Sequence, residues 1–226
     1  LKMKIISHFI KKENQTILSV FMLTSLSVLL LILRIKLTDS KYYLFLIWNL
    51  FLAGIPYIIS SYLTINNKLS PTTIVLFSCI WLLFLPNAPY IITDLFHLKY
   101  TSQHLLWLDT LIILLFAIIG LILFFKSVWT MEIIFKTYVE KRMVTFSLPF
   151  LFLLVGFGVY LGRFLRFNSW EIINKPWTII ETIVFIILSP SINKNAWLFT
   201  IVFGLFLYVC YYAIKTNSLT NKKASH

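Results

Sequence analysis

Charged residues are scarce in this chain of 226 residues. Asp, Glu, Lys and Arg make up 12% of the chain, about half of the ~25% that is usual in a soluble domain. Hydrophobic residues account for 59%, and the mean hydropathy is +0.88. A soluble fold of this length could not bury so much apolar surface, whereas a bilayer accepts apolar side chains on the outside of a protein. The composition therefore predicts a protein embedded in a lipid bilayer.

Acidic residues and cysteines are scarcer still. Eight Asp and Glu stand against twenty Lys and Arg, so the net charge is +12. We assign this excess to loops beside anionic lipid headgroups and expect no nucleic-acid partner, because no zinc-finger spacing is present. Cys79 and Cys210 lie in apolar runs without a CxxC partner and are predicted to be small core residues. We therefore expect neither cysteine to form a disulfide or a metal site, and the sequence does not identify a cofactor.

Six apolar runs approach or exceed the roughly 20 residues that a membrane-spanning helix needs. They are Thr16–Leu33, Tyr42–Leu63, Thr72–Ile92, Leu105–Phe125, Phe146–Leu165 and Ala196–Ile214. No A-x-A pattern follows the first run, which we expect to be an uncleaved span. A seventh stretch, Trp177–Leu188, contains Glu181 and is predicted to lie in the interface. The sequence thus predicts an all-α, polytopic membrane helical bundle, with six transmembrane helices plus a short interfacial helix in a single domain over residues 1–226.

The distribution of basic residues favours this span count. With six spans, the side holding both termini carries twelve Lys and Arg and the other side eight. Treating Trp177–Leu188 as a span would give ten on each side. Because cytoplasmic loops carry the excess of basic residues, we predict a plasma (cell) membrane protein with both termini cytoplasmic. The segment from Lys126 to Arg142 keeps helical periodicity and is interpreted as an amphipathic extension on the cytoplasmic surface.

The third span ends in an unusual run of prolines and polar residues. Pro86 and Pro89 each remove a backbone donor and clash with the preceding turn, so the helix is predicted to kink or break there. Asn87 is a natural partner for the freed carbonyls. Asp94 and His97 follow at a spacing of three, which suits an acid–base pair or two metal ligands, and equally a helix cap with a surface histidine.

Polar residues also mark the fourth and fifth spans. Asp109 begins the fourth span, where a helix N-terminus stabilises a carboxylate. In the fifth span, Gly158-x-x-x-Gly162 predicts close helix packing. Arg163 and Arg166 share a helical face, and guanidinium groups bind phosphate or carboxylate well. Snorkelling to lipid phosphates is the alternative for the two arginines.

Topology brings these stretches to one face of the membrane. The start of span two, the end of span three, the start of span four and the end of span five share a side whichever way the chain is inserted. We therefore expect a site at this face, with Asp94 and His97 as candidate catalytic residues. The candidate substrate-binding residues are Asn49, Asn87, Tyr90, Asp109, Arg163, Arg166, Asn168, Ser169, Trp170 and Glu171.

Four segments carry a family resemblance. They are Trp48–Leu52 (WNLFL), Leu85–Tyr90 (LPNAPY), Thr93–Leu98 (TDLFHL) and Gly162–Glu171 (GRFLRFNSWE). The chain resembles, from about Trp48 to the last span, the bacterial membrane protein family catalogued as domain of unknown function 1361. Glu171 stands where that family more often has Asp. The resemblance supports the span count and the choice of site residues, and it implies no reaction.

Three functions remain open from the sequence. In an enzyme acting on a phosphorylated or lipid-linked substrate, Arg163 and Arg166 would hold the anion, while Asp94 and His97 would move protons or bind a metal. Glu171 would orient an arginine or supply a second carboxylate. The partners expected are the lipid bilayer and a lipid-linked or anionic small molecule.

The other two functions need no catalysis. A small membrane transporter or binding subunit is favoured by the broken third span and by an echo of Trp48–Ile59 in Trp81–Ile92, with eight of twelve positions identical. A homo-oligomer would offset the small size of such a transporter. A structural or assembly protein would use the polar cluster only as a satisfied network that fixes helix ends.

Overall fold

The computed structural model describes residues 2–66, 69–101 and 103–223, with side chains described between residues 14 and 216. Lys68, which enters the charge count above, lies outside the described residues. Within these ranges the chain is helical and contains no strand. The α-helices are α1 (Lys2–Thr38), α2 (Phe45–Ile65), α3 (Pro71–Phe84), α4 (Asn87–Tyr90), α5 (Leu106–Tyr138), α6 (Lys141–Arg163), α7 (Glu171–Asn174), α8 (Pro176–Leu188) and α9 (Lys194–Lys223). Segments of 3₁₀ helix lie at Tyr42–Leu44, Ile91–Tyr100 and Gln103–Leu105.

Six helical segments of the described residues are long and apolar enough to cross a membrane. They are Asn14–Thr38, Tyr42–Ile65, Pro71–Tyr100, Gln103–Tyr138, Lys141–Arg163 and Lys194–Thr216. The shorter helix α8 has 13 residues and is about 20 Å long at 1.5 Å per residue, less than the ~30 Å hydrocarbon core. The predicted all-α bundle of six spans plus a shorter helix is confirmed.

The third span is interrupted, as its prolines predict. Helix α3 ends at Phe84, and Leu85 and Pro86 separate it from α4. We call these two residues the helix break. The chain then continues from Ile91 to Tyr100 as 3₁₀ helix, in which side chains three residues apart lie one above the other.

Helix α5 is the central element of the bundle. It packs against α1, α2, α4 and the 3₁₀ segment Ile91–Tyr100, while α6 packs mainly against α9. Ile112, Phe116 and Phe124 of α5 are fully buried. The helix runs unbroken to Tyr138, and Glu132 in its last part is buried. The residues after Lys126 are helical to Tyr138. The first of them, such as Ser127 and Glu132, are buried in the bundle and not at a surface, whereas residues 137–142 are exposed.

The two cysteines differ in environment. Both are free thiols, Cys79 exposed on the outside of α3 and Cys210 half-buried in α9. The prediction that both are small core residues is therefore wrong for Cys79, because the side of α3 that carries it is not covered by another helix. An apolar environment for this residue is supplied by lipid, so hydropathy alone does not separate the two positions.

Candidate polar site around the broken third helix

Polar side chains replace the backbone hydrogen bonds that the helix break removes. The Nδ2 of Asn87 donates to the carbonyl oxygen of Phe84 at 2.9 Å and to Ser169 Oγ at 2.9 Å. Ser169 Oγ in turn donates to the carbonyl oxygen of Leu83 at 3.2 Å. These carbonyls would otherwise remain unsatisfied inside the bilayer, which is costly. The predicted role of Asn87 is confirmed, and the partner supplied by Ser169 comes from the segment after α6.

Three glycines allow the broken helix to sit close to its neighbours. A Cβ added to Gly120 of α5 would lie 2.5 Å from the carbonyl oxygen of Ala88. A Cβ on Gly158 would lie 2.5 Å from Pro86 Cγ, and one on Gly162 would lie 3.3 Å from the ring of Tyr90. The predicted packing role of the Gly158-x-x-x-Gly162 pair is confirmed, and the partner is the helix break itself.

A buried ion pair joins the broken helix to the end of α6. Asp94 is 1% exposed, and its Oδ1 accepts a short hydrogen bond from an Arg163 terminal nitrogen. Asp94 Oδ2 accepts from Asn49 Nδ2 of α2 at 2.9 Å. The Arg163 guanidinium lies over the ring of Tyr90, 4.3 Å from its centroid, at cation–π distance. Residues from three separate spans therefore meet in one network.

His97 completes this network from the 3₁₀ segment. Its Nε2 lies 3.0 Å from an Arg163 terminal nitrogen, and its Nδ1 lies 2.9 Å from the Tyr42 hydroxyl. Because arginine can only donate, Nε2 accepts and the imidazole is neutral, with its proton on Nδ1. His97 Nε2 is 3.9 Å from Asp94 Oδ1. The predicted Asp94–His97 pair thus shares a face, but Arg163 bridges the two side chains.

A cavity of about 220 Å³ lies beside this network; we call it the polar cavity. The polar residues of its lining are Asn49, Asn87, Tyr90, Asn168 and Ser169. The remaining lining residues are Trp48, Leu52, Leu83, Pro86, Gly158, Leu161, Gly162, Phe167, Ile172, Ile179 and Ile183. Five of the residues predicted from the sequence to bind a substrate therefore line one cavity.

Asp109 lies outside this group. It is fully buried, and Arg34 Nε donates to its Oδ1 at 3.0 Å while a terminal nitrogen donates to Oδ2 at 3.3 Å. Thr101 Oγ1 also donates to Oδ2 at 2.8 Å, and the Tyr43 hydroxyl lies 2.7 Å from Thr101 Oγ1. Asp109 thus fastens α1 to α5 at the same face of the bundle. Arg34 was not singled out from the sequence, because it stands at the end of an apolar run like an ordinary loop arginine.

The segment after α6 carries the remaining predicted residues, and Arg166, Trp170 and Glu171 are not part of the cavity lining. Arg166 is exposed with φ of 60°, a left-handed conformation that is uncommon for a residue with a side chain. Trp170 packs edge-on against Trp48, with ring centroids 6.1 Å apart. The segment therefore bends back from α6 toward the broken helix.

Glu171 stabilises this bend through hydrogen bonds. Its Oε2 accepts from the backbone N–H of Asn168 at 2.8 Å, and its Oε1 accepts from Lys175 Nζ at 3.3 Å. The backbone hydrogen bond from Asn168 holds the pKa of Glu171 below its usual value. Its partners are thus Asn168 and Lys175 and not an arginine, which was one of the two roles expected for it; the other, a second carboxylate of the site, stays a prediction.

A second buried charge cluster lies at the opposite face and was missed from the sequence. Glu132 is 3% exposed. Its Oε1 accepts from Lys136 at 2.5 Å and from Lys215 of α9 at 2.6 Å, and its Oε2 accepts from the Tyr211 hydroxyl. The Glu132–Lys136 spacing of four was visible in the sequence. The hydrogen bond from Lys215 of α9 could not be read from the sequence, because this residue lies 83 positions from Glu132.

Side chains that could bind a metal ion are not clustered in the described part of the chain. No group of three or more His, Cys, Asp or Glu side chains is placed there to hold a metal ion. The polar network consists of one carboxylate, one imidazole and one guanidinium, and the guanidinium occupies the position between the other two.

The fold and this network define a multi-pass helical membrane protein with a polar site in its bundle. The model of the family described as "Protein of unknown function (DUF1361)" matches residues 48–210. The chain belongs to this family, as the resemblance implied. No curated protein and no solved structure matches the chain.

Proposed function

We propose that this protein binds the anionic headgroup of a phosphorylated or lipid-linked amphiphile in the polar cavity, at the extracytoplasmic face of the plasma membrane. The observation that carries the proposal is the mixed lining of that cavity. Amides and hydroxyls from α2, α4 and the segment after α6 line it together with aliphatic side chains of α2, α3, α6 and α8. A ligand with a polar and an apolar part matches such a lining.

Two side chains supply groups that a ligand can use. Asn49 donates to Asp94 through its amide nitrogen, and its amide oxygen has no protein partner among the described residues, which leaves it to accept from a ligand. Arg166 adds an exposed positive charge directly before Phe167 of the cavity lining. Guanidinium groups bind phosphate in a bidentate manner, so an anionic headgroup is favoured over a cationic one.

Asp94, His97 and Arg163 act in this proposal as positioning residues. Asp94 fixes the Asn49 amide by a hydrogen bond, and Arg163 fixes the Tyr90 ring by stacking. Asp94 is itself 1% exposed and is shielded from the cavity by these partners. The network therefore holds two residues of the cavity wall rigidly, which reduces the entropy that binding would otherwise cost.

Binding is tested by calorimetry, which measures the affinity of the purified protein in nanodiscs for a short-chain alkyl phosphate. Ile183→Phe fills the cavity from α8, and we expect it to weaken binding by about tenfold or more, ~1.4 kcal/mol. Val184→Phe is the matched control, because Val184 is the next residue on the same helix, is 45% exposed and lies outside the cavity lining. Equal binding by both variants would refute the cavity as the site.

Charge is tested with a second matched pair. Arg166→Gln should weaken binding of the alkyl phosphate and leave binding of an uncharged alkyl glycoside unchanged. Lys41→Gln removes one exposed positive charge at the same face, outside the cavity lining, and should do neither. Loss of both ligands in Arg166→Gln would show a structural effect instead. Conversion of the probe would indicate catalysis, and its passage into proteoliposomes would indicate transport.

Orientation is tested by labelling intact cells with an impermeant thiol reagent. In a chain with Cys79 and Cys210 replaced by Ala, single cysteines are placed at Gln103, Asn174 or Glu140, all of which are exposed. The excess of basic residues on the side of the termini predicts that Gln103→Cys and Asn174→Cys are labelled and Glu140→Cys is not. The reverse pattern would place the polar cavity on the cytoplasmic side.

A further inference from the structure

His97 is the member of the polar network whose charge can change near neutral pH, because histidine ordinarily titrates between about pH 5 and pH 8. Its side chain is 27% exposed and lies near the end of the third span, which reaches Tyr100. The side chain of Asp94 beside it is 1% exposed. A proton can therefore reach the imidazole without any opening of the bundle.

The two ring nitrogens of His97 respond differently to protonation. Nδ1 donates to the Tyr42 hydroxyl oxygen at 2.9 Å, and it keeps that proton in the neutral and in the charged imidazole. Nε2 accepts from a terminal nitrogen of Arg163 at 3.0 Å. Once Nε2 is protonated it can only donate, and arginine has no acceptor to offer. Protonation therefore leaves the Tyr42 contact intact and removes the hydrogen bond to Arg163.

Charged and titratable groups reach His97 from three elements: Arg163 from α6, Tyr42 from the turn before α2, and Asp94 and Lys99 from its own segment. The carboxylate that α5 contributes at this face, Asp109, is paired with Arg34. A proton on Nε2 adds a further positive charge 3.0 Å from the guanidinium of Arg163. Repulsion between like charges at this distance favours a shift of Nε2 toward Asp94 Oδ1, which is 3.9 Å away.

Arg163 connects His97 to the polar cavity. Its guanidinium lies 4.3 Å from the centroid of the Tyr90 ring, which belongs to the cavity lining. Its Nε donates to Thr93 Oγ1 at 2.7 Å, and Thr93 donates to the carbonyl oxygen of Tyr90 at 2.6 Å. Neither bond involves His97, so Arg163 stays attached at Nε when its terminal nitrogens move. A displaced guanidinium no longer fixes the Tyr90 ring.

We infer that His97 is a proton-sensitive switch for the polar cavity. With a neutral imidazole, Arg163 holds Tyr90 in place and the ligand binds; with a protonated imidazole, Arg163 is displaced and binding weakens. This inference rests on the function proposed above and adds the regulation of that site. Ligand affinity is therefore highest above the pKa of His97 and falls as the pH drops through it.

Ligand affinity measured as a function of pH tests the switch. The probe is a short-chain methyl alkyl phosphate, a diester with one fixed negative charge, because a phosphate monoester takes up a proton near pH ~6. Calorimetry of the protein in nanodiscs compares the affinity at pH ~8 and pH ~5, the two ends of the histidine range. We expect an affinity about tenfold lower at the acid end, the size that follows from loss of one hydrogen bond to a charged group.

Two matched glutamine variants assign the pH dependence to a residue. The amide of His97→Gln takes up no proton in this range, and its oxygen can accept from Arg163 at either pH. We expect equal affinity at the two pH values in this variant, whatever its absolute affinity. His104→Gln makes the same change at an exposed histidine of the same face, and it should keep the pH dependence of the unmodified protein.

Nitrogen NMR of the histidine rings tests the geometry without any ligand. The signals of His97 are those absent from His97→Gln. At pH ~8 we expect a protonated Nδ1 and an unprotonated Nε2, and Nε2 should gain its proton over the same pH range in which the probe is released. A neutral imidazole with its proton on Nε2 would contradict the hydrogen bond from Arg163 and overturn the inference.

The outcomes separate the two proposals. If the probe binds equally well at both pH values, or if His97→Gln keeps the loss of affinity in acid, the switch is refuted while binding in the polar cavity stands. If the probe binds at neither pH, the proposed function falls and the switch falls with it.

Discussion

Two Arg–Asp ion pairs stabilise the same face of the bundle, and they differ in what lies beyond them. Arg34 and Asp109 join α1 to α5 in the core, and the second carboxylate oxygen is taken by Thr101. Arg163 and Asp94 join α6 to the broken helix, and the second carboxylate oxygen is taken by Asn49 of the cavity wall. Identical chemistry thus fixes the fold in one place and orients a binding surface in the other.

The comparison shows how little a buried ion pair reveals about function by itself. Both carboxylates are at most 1% exposed, and desolvation offsets much of the attraction between such charges. The difference appears only in the neighbours. Asp109 is backed by Thr101 and Tyr43 in the core, whereas Asp94 is backed by residues that border empty space. Substitutions should separate the two roles.

The largest effect is expected from Asp109→Leu. Removing this carboxylate leaves Arg34 buried without its partner, and we expect a loss of about 3–5 kcal/mol in the free energy of unfolding. The double substitution Arg34→Met with Asp109→Leu should recover most of that loss, because neither charge remains. Thermal unfolding in detergent measures both. If the double variant is as unstable as the single one, the pair is not the source of the effect. Ligand affinity of the folded fraction should be unchanged.

Asp94→Asn should have a smaller effect on stability and a specific effect on binding. Arg163 keeps hydrogen bonds to Thr93 and His97, so we expect a loss of about 1.5–3 kcal/mol, the range for a hydrogen bond to a charged group. The amide can no longer fix Asn49 and Arg163 together, and binding of the alkyl phosphate should fall by about tenfold. Unchanged affinity in a folded Asp94→Asn protein would remove the contrast with Asp109.

Gly120→Ala tests the same contrast through the backbone. The added Cβ would meet the carbonyl oxygen of Ala88 at 2.5 Å and push the broken helix, which carries Asp94, away from α5. We expect a loss of about 1–3 kcal/mol together with weaker binding. Gly54→Ala is the control, because nothing lies within 4 Å of its added Cβ and alanine in a helix is favoured by about 1 kcal/mol. Equal unfolding temperatures for both variants would contradict this packing.

The smallest effect is expected from Glu171→Gln, and it depends on pH. The folded-state pKa of Glu171 lies below its usual value because the Asn168 N–H stabilises the carboxylate. Its contribution to stability is therefore complete above the usual pKa of glutamate and is lost as the pH falls through the lowered one. Unfolding temperatures should differ between Glu171→Gln and the original protein at neutral pH and converge in acid. Glu181→Gln, which removes another exposed carboxylate from α8, is the matched control.

Much of the arrangement was predictable because bilayer constraints act locally. The hydropathy and length of the apolar runs predict the six spans, and Pro86 predicts the helix break. Alternation of spans across the membrane places Asn49, Asp94 and Arg163 at one face, and the structure joins them by hydrogen bonds. Each of these inferences needs only residues near one another in the sequence.

The unpredicted features all depend on distant partners. Arg34 finds Asp109 across 75 positions, and Glu132 finds Lys215 across 83, so neither burial can be read from its own segment. The predicted surface position is wrong for Glu132, because nothing local shows that Tyr211 and Lys215 of α9 contact it, whereas residues 137–142 of the same segment are exposed.

The hydrogen bonds at the helix break also constrain the order in which the chain can be assembled. The carbonyl of Leu83 accepts its side-chain hydrogen bond from Ser169, which is synthesised 86 positions later. Until then the third span carries exposed backbone groups into the membrane, a state that hydrocarbon strongly disfavours. We therefore expect the third span to gain its full stability only after the fifth has been inserted, when Ser169 supplies the hydrogen bond that Leu83 lacks.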